Sequence, residues 1–377
     1  MLFRVKYILF GIVFLFWIPK ILTEKFIFSK SLLLVSLFIS FFMPIYPLCI
    51  GLLSSYLGNT DIGSIIYINS FFFFLLTLVI VGNGINLTKI FNNSSLLIVV
   101  ITLISYCTLV YDPKFFGHLY QFLVVDKQVA IYSLRNYGNI NLLMMFYKTS
   151  PLLVFPLSYY LYKLLIKQER NRVFFTIIVL FSLFITLFLS GTRANIFSLF
   201  LIILFYISFY LYKKSKNIFI VACVCYLFAT IYIVYAIGGF LFDAQEASNM
   251  IKFGHFQSYL EYYLNNLGSF VWGQGLGGEF YSSGINKFTG NTELTYFELI
   301  RIWGLPISIL FVLVLLIPIY NEIKSRKITH LFIAYIAFLF IAGTNPLLLS
   351  STGMIVLVYV FSRMFIEKKN MILLTRP

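Results

Sequence analysis

The chain has 377 residues, 60% of them hydrophobic and only 11% charged, with a formal net charge of +15. Apolar runs of about twenty residues recur along it, the length a helix needs to cross a hydrocarbon core of about 30 Å, which excludes a soluble globular enzyme. The lysines and arginines gather in short connections between those runs, a mark of membrane topology rather than of a nucleic-acid surface.

Lipid offers backbone groups no water, so the runs must be helices; the period-2 alternation of an outer-membrane barrel is absent. An all-α integral membrane fold follows, a polytopic helical bundle forming a single domain over residues 1–377. Arg4 and Lys6 precede an apolar run from Tyr7 to Ile18, but Pro19 and Lys20 stand where a signal-peptide cleavage site would lie, so the first helix is retained. Spans are expected over 7–22, 31–50, 62–82, 94–110, 142–162, 173–189, 194–212, 217–237, 296–319, 329–343 and 346–364, about eleven in all. Pro44 and Pro47 interrupt the second.

From the fifth span onward the basic residues alternate consistently. Lys163/Lys167/Arg170/Arg172, Lys213/Lys214/Lys216, Lys324/Arg326/Lys327 and Arg363/Lys368/Lys369/Arg376 mark the cytoplasmic side. The alternate connections then face outward: Tyr111 to Asn141, the Ser190–Arg193 turn, the long loop 238–295, and the turn from Gly343 to Pro346. Within the long loop, Phe253, Phe256, Leu260, Tyr263, Leu264 and Leu267 recur at helical spacing, as in an interfacial or a domain helix.

Three outer-side arginines, Arg135, Arg193 and Arg301, stand where positive charge is disfavoured. A guanidinium binds phosphate bidentately and keeps its charge, so the three suit a pyrophosphate at headgroup depth. At the entrance to the ninth span, Glu298 can pair with Arg301, and Glu293 stands just before the helix begins. GQGLGG matches G-x-G-x-x-G from Gly273 to Gly278, but without a surrounding βαβ unit it reads as a tight, flexible turn. His118 and His255 fall on the outer side, where a loop histidine stays open as an alternative base, and His330 on the cytoplasmic side; the default for all three is a solvated surface residue. The cysteines, Cys49, Cys107, Cys223 and Cys225, lie in apolar segments and read as small hydrophobes. No metal-ligand spacing is present, so neither a metal nor another cofactor is expected.

Taken together, Ser190-Gly191-Thr192-Arg193, Arg135 with Gly138-Asn139-Ile140-Asn141, Gly273/Gly275/Gly277, and the segment Glu293-Leu294-Thr295-Tyr296-Phe297-Glu298-Leu299 through Gly304 resemble the O-antigen polymerase and ligase superfamily. The Wzy-type polysaccharide polymerases fit best, over about residues 110–320. The resemblance implies a GT-C-type glycosyltransferase in the bacterial cytoplasmic membrane, acting on its periplasmic side. Its substrate would be undecaprenyl-pyrophosphate-linked oligosaccharide, with a chain-length regulator and a flippase as partners. Where the ligase branch carries a histidine, this chain has Glu293, which favours the polymerase and makes Glu293 the candidate general base.

On that expectation, Glu293 and Arg193 are catalytic, and Arg135, Arg193 and Arg301 hold pyrophosphate. Tyr259, Tyr262, Tyr263, Trp272 and Tyr296 offer rings for sugar stacking. Two alternatives stay open: an O-antigen ligase, and a lipid-linked oligosaccharide flippase. A flippase would place its charge along a central cavity, whereas here the unusual polar residues fall on one face.

Overall fold

The computed structural model describes residues 2–23, 28–53, 69–137, 140–169, 173–215, 217, 221, 247–326 and 328–374. The expected span 217–237 and the start of the long loop fall almost entirely outside the described residues. Among the described residues, four helices are long and apolar enough to cross a membrane: Lys30–Leu53, Thr88–Tyr111, Arg193–Lys214 and Leu305–Ser325. Asn69–Gly82, Ser150–Ile166, Val173–Leu189 and His330–Gly343 are shorter apolar helices. The chain divides into two compact units, one of residues 1–88, 250–326 and 342–377, the other of 89–249 and 327–341.

In the first unit, Phe71 packs edge-on to Trp303 and Phe311, and Phe74 to Phe361, with centroids 5.4–6.3 Å apart. The helix Ser351–Leu374 is apolar on every side from Met354 to Phe361, as a helix enclosed by others must be. It begins later than the expected span at 346, because residues 344–350 form turns.

Pro44 and Pro47 do not end the second span. A wider turn at Phe38–Phe42 precedes Pro44 and gives its ring room, and the helix runs on to Leu53. Lacking an N–H, Pro47 leaves the Met43 carbonyl without its helical donor, and the Trp303 indole N–H supplies one at 2.6 Å.

The expected span 296–319 is two helices, Thr295–Trp303 and Leu305–Ser325. They part at Gly304, whose φ of 78° and ψ of 161° only glycine adopts without strain. The freed carbonyls of Arg301 and Ile302 accept from the amides of Gln274 and Gly275 at 2.6 and 3.2 Å. The Gly-rich stretch is thus a packed turn laid against a helix break, and a Cβ at Gly273 would sit 2.4 Å from the Ile302 carbonyl.

In the second unit, strands β1 (Ala130–Tyr137) and β2 (Ile140–Tyr147) form an antiparallel hairpin. Residues 142–147, expected at the start of a span, are therefore strand, and the helix begins only at Ser150–Pro151. Proline suits a first helical turn, and the Ser150 hydroxyl accepts from the Tyr147 amide at 3.1 Å. Hydroxyls of Ser105, Tyr132 and Tyr147 join the hairpin to the helix Thr88–Tyr111. Phe155 anchors the core between Phe91 and Phe338. The second hairpin, β3 (Phe280–Ser282) and β4 (Lys287–Thr289), belongs to the first unit.

Candidate functional site

The helix Thr295–Trp303 carries Glu298 and Arg301 one turn apart, so both point to the same side. Both are buried, Arg301 to 1% exposure. An arginine placed there must satisfy five N–H donors without water. Its Nε donates to Glu298 Oε2 at 3.1 Å and one Nη2 proton reaches Glu298 Oε1. Nη1 donates to Gln274 Oε1 and the Gly278 carbonyl, both at 2.6 Å, and Nη2 donates to the Gly290 carbonyl at 2.5 Å. The guanidinium also lies 5.3 Å from the centre of the Phe280 ring.

Five contacts fill five donors, so Arg301 has no fork left for a pyrophosphate. The expectation that it binds substrate gives way to another role: it clasps the loop 274–290 by carbonyls on either side of the β3–β4 hairpin. The sequence showed the Glu298 pairing but not Gln274 or the two carbonyls, which the loop brings back from 27, 23 and 11 residues upstream.

Glu298 accepts a further hydrogen bond from the Tyr259 hydroxyl, whose oxygen lies 2.6 Å from Thr292 Oγ1. The Tyr259 ring stacks on Phe280 at 4.6 Å, Phe297 at 5.7 Å and Tyr263 at 5.8 Å, and the Tyr263 hydroxyl donates to the Phe297 carbonyl at 2.7 Å. Tyr259 and Tyr263 are therefore core, closed to a sugar ring, because the helix Ala247–Asn265 turns that face toward its own loop. Tyr262 is half-buried against the same cluster. Tyr296 is half-buried with its ring over Gly343, where a Cβ would come within 2.5 Å of it. Trp272 alone of the five is well exposed, at 65%.

Glu293 differs from Glu298 in every respect. Its side chain is 51% exposed, just ahead of the helix, with Lys252 Nζ 3.6 Å away. Lys252 also reaches the Thr344 carbonyl at 3.5 Å, and the Thr295 hydroxyl donates to the Asn345 carbonyl at 2.8 Å. The turn after Gly343 thus braces the approach to Glu293. Beside it His255 is buried, with Nδ1 2.5 Å from Ser282 Oγ. Burial pushes its imidazole below the ordinary value, against an opposing pull from the Glu293 and Glu298 charges. His330 is buried too, against Tyr159 and Tyr162, so neither is the surface histidine expected; His118 is exposed.

In the second unit the Ser190–Arg193 turn joins Val173–Leu189 to Arg193–Lys214 as expected. Gly191 takes a left-handed φ of 62°, and a Cβ there would meet the Met144 side chain at 2.5 Å. Ser190 donates to the Leu187 carbonyl at 2.6 Å and accepts from Asn195 at 3.0 Å, tying the end of one helix to the start of the next. Arg193 is half-buried in the first turn of its helix, and its Nη1 donates to Asn249 Oδ1 at 2.5 Å. Arg135 stands in β1 opposite Leu142; its side chain lies outside the described residues.

No family model, curated protein or solved structure matches the chain.

The G-x-G-x-x-G stretch is not built as a phosphate cradle. Phosphate-cradling loops present free backbone amides. Here the amides of Gln274, Gly275 and Leu276 are bonded to the carbonyls of Arg301, Ile302 and Pro47. The stretch is a structural joint.

Proposed function

We propose that this chain is a membrane glycosyltransferase that polymerises lipid-linked oligosaccharide, a GT-C-like bundle of about eleven spans working on the periplasmic side of the bacterial cytoplasmic membrane. The reading rests first on the resemblance of its motifs to the Wzy-type polymerases. The observation that carries it is the mount of Arg193. A charged fork at the first turn of a long apolar helix is held by a left-handed glycine packed on Met144 and by Asn249. A guanidinium beside a helix N-terminus favours a pyrophosphate at headgroup depth.

In the reaction, an acceptor sugar hydroxyl attacks the anomeric carbon of the growing glycan. The C–O bond to the lipid pyrophosphate breaks, and the pyrophosphate leaves with the electron pair. Arg193, with Arg135, stabilises that developing charge more in the transition state than in the ground state. Glu293, the exposed carboxylate of the loop, takes the proton of the acceptor hydroxyl. Trp272 offers an exposed ring for a sugar face. Arg301 and Glu298 hold the loop that carries Glu293.

The test is a deletion strain complemented with wild type, Arg193→Ala or Arg193→Lys, its surface glycan read on a gel. Arg193→Ala leaves single capped repeats at unchanged protein level, and Arg193→Lys restores little because the bidentate fork is lost. A normal polymer ladder from Arg193→Ala would remove the proposal. Repeats trapped on the cytoplasmic side in the deletion strain would point to a flippase instead.

A further inference from the structure

The helix Ala247–Asn265 has two apolar sides, and the described residues cover only one. Tyr259 and Tyr263 face the loop, and Gly254 lies directly under Gly284 of the β3–β4 hairpin, where a Cβ would meet backbone at 2.4 Å. On the far side Met250, Phe253, Leu260 and Leu264 form an exposed ridge at helical spacing, Leu264 at 76% exposure, with Gln257 as the one polar residue within it and Glu261 at its edge. Leu267 and Trp272 extend it along the short helix Leu267–Trp272. A helix whose outward ridge is apolar is not a water-facing helix.

What covers the ridge is indicated by where it leads. The Trp272 carbonyl accepts from the Tyr46 hydroxyl at 2.7 Å, and Tyr46 belongs to Lys30–Leu53, one of the helices long and apolar enough to cross a membrane. Phe42, stacked on Tyr46 at 5.7 Å, and Ile45 are exposed on that helix, on what would be its lipid side. The ridge therefore runs into the outer face of a span. The helix Ala247–Asn265 is not itself apolar enough to cross, since Lys252, His255 and Glu261 lie along it.

We infer that residues 250–272 lie flat in the headgroup and upper acyl layer of the bilayer, with the hairpin stacked on their water side. The long loop is then an interfacial platform rather than an aqueous domain. Glu293 and Lys252 would work at the depth where the headgroup of a lipid-linked substrate lies.

The experiment uses the full chain with its four native cysteines replaced by serine. Phe253→Cys, Leu260→Cys, Leu264→Cys and, at the hairpin, Lys287→Cys are each spin-labelled and reconstituted in phosphatidylcholine–phosphatidylglycerol vesicles. Labels at 253, 260 and 264 are expected to relax more with lipid-soluble oxygen than with an aqueous nickel chelate, and the label at 287 to show the reverse order. If all four respond as water-exposed, the platform is wrong. If 253, 260 and 264 are shielded from both reagents, a protein surface covers the ridge and the bilayer assignment falls. Depth is read without turnover, so a chain that lies in the interface but makes no polymer would overturn the proposed function and leave this inference standing.

Discussion

Arg301 closes on Glu298 one turn earlier in the same helix, and the remaining donors of its guanidinium reach Gln274 and the carbonyls of Gly278 and Gly290. One buried side chain thus fixes a helix break, a glycine turn and a hairpin together. Removing it would leave a buried carboxylate uncompensated and three acceptors without donors. Arg301→Gln should lower the stability of the detergent-solubilised protein by about 3–5 kcal/mol, read by thermal unfolding. Arg301→Lys should recover only part, since an ammonium has three donors and no fork. A variant of wild-type Tm that has lost only activity would return Arg301 to the substrate.

Glu293 is the exposed carboxylate of the same loop. On the proposed role of Glu293 as general base, its replacement by Gln should reduce turnover by ~10²–10⁴-fold at unchanged Tm. Lys252→Ala, which removes the cation 3.6 Å away, should cause a smaller loss. Both are measured as polymer formed by purified protein from a lipid-linked repeat. Near-normal turnover in Glu293→Gln would assign the proton to another group.

The turn at Gly191 is intolerant of a side chain for two separable reasons. Its φ of 62° costs an L-residue about 1–2 kcal/mol, and the new Cβ meets Met144 at 2.5 Å. Gly191→Ala should lower Tm, and adding Met144→Ala should relieve the collision while leaving the backbone strain. Equal stability of Gly191→Ala and wild type would mean that the turn does not hold its helices in this geometry.

His255 makes stability depend on pH in a stated direction. Its folded pKa lies below the ordinary 6.5, so between those two values the unfolded chain binds more protons than the folded one. The contribution is fully present above about 6.5 and is lost as pH falls through the folded pKa. Tm measured from pH 7.5 down to 5.5 should fall more steeply for wild type than for His255→Gln. Parallel curves would show that the buried imidazole does not titrate in this window.

Particular residues show how far reading the chain could reach. The i,i+3 placement of Glu298 and Arg301 was legible, because helical spacing is a local property. The closure of Arg301 on Gln274, Gly278 and Gly290 was not, because it depends on how a loop folds back. The pairing of β1 with β2 went unread, because strand residues 142–147 run straight on into the apolar helix and a short apolar run does not by itself tell strand from helix. Tyr259 and Tyr263 stood at helical spacing, but spacing cannot say which of two apolar faces meets protein.

What the sequence by itself determined is the class of the molecule and part of its punctuation. Long apolar runs demand helices in lipid, and Gly191 marks the turn between two of them, whereas the break at Gly304 fell inside the expected span 296–319 and came only with the fold. Only the tertiary structure decided which charges are spent and which are open. Burial and the count of donors against acceptors are properties of neighbours in space, so Arg301 and Glu293, eight residues apart in the chain, end as a saturated clasp and an exposed carboxylate.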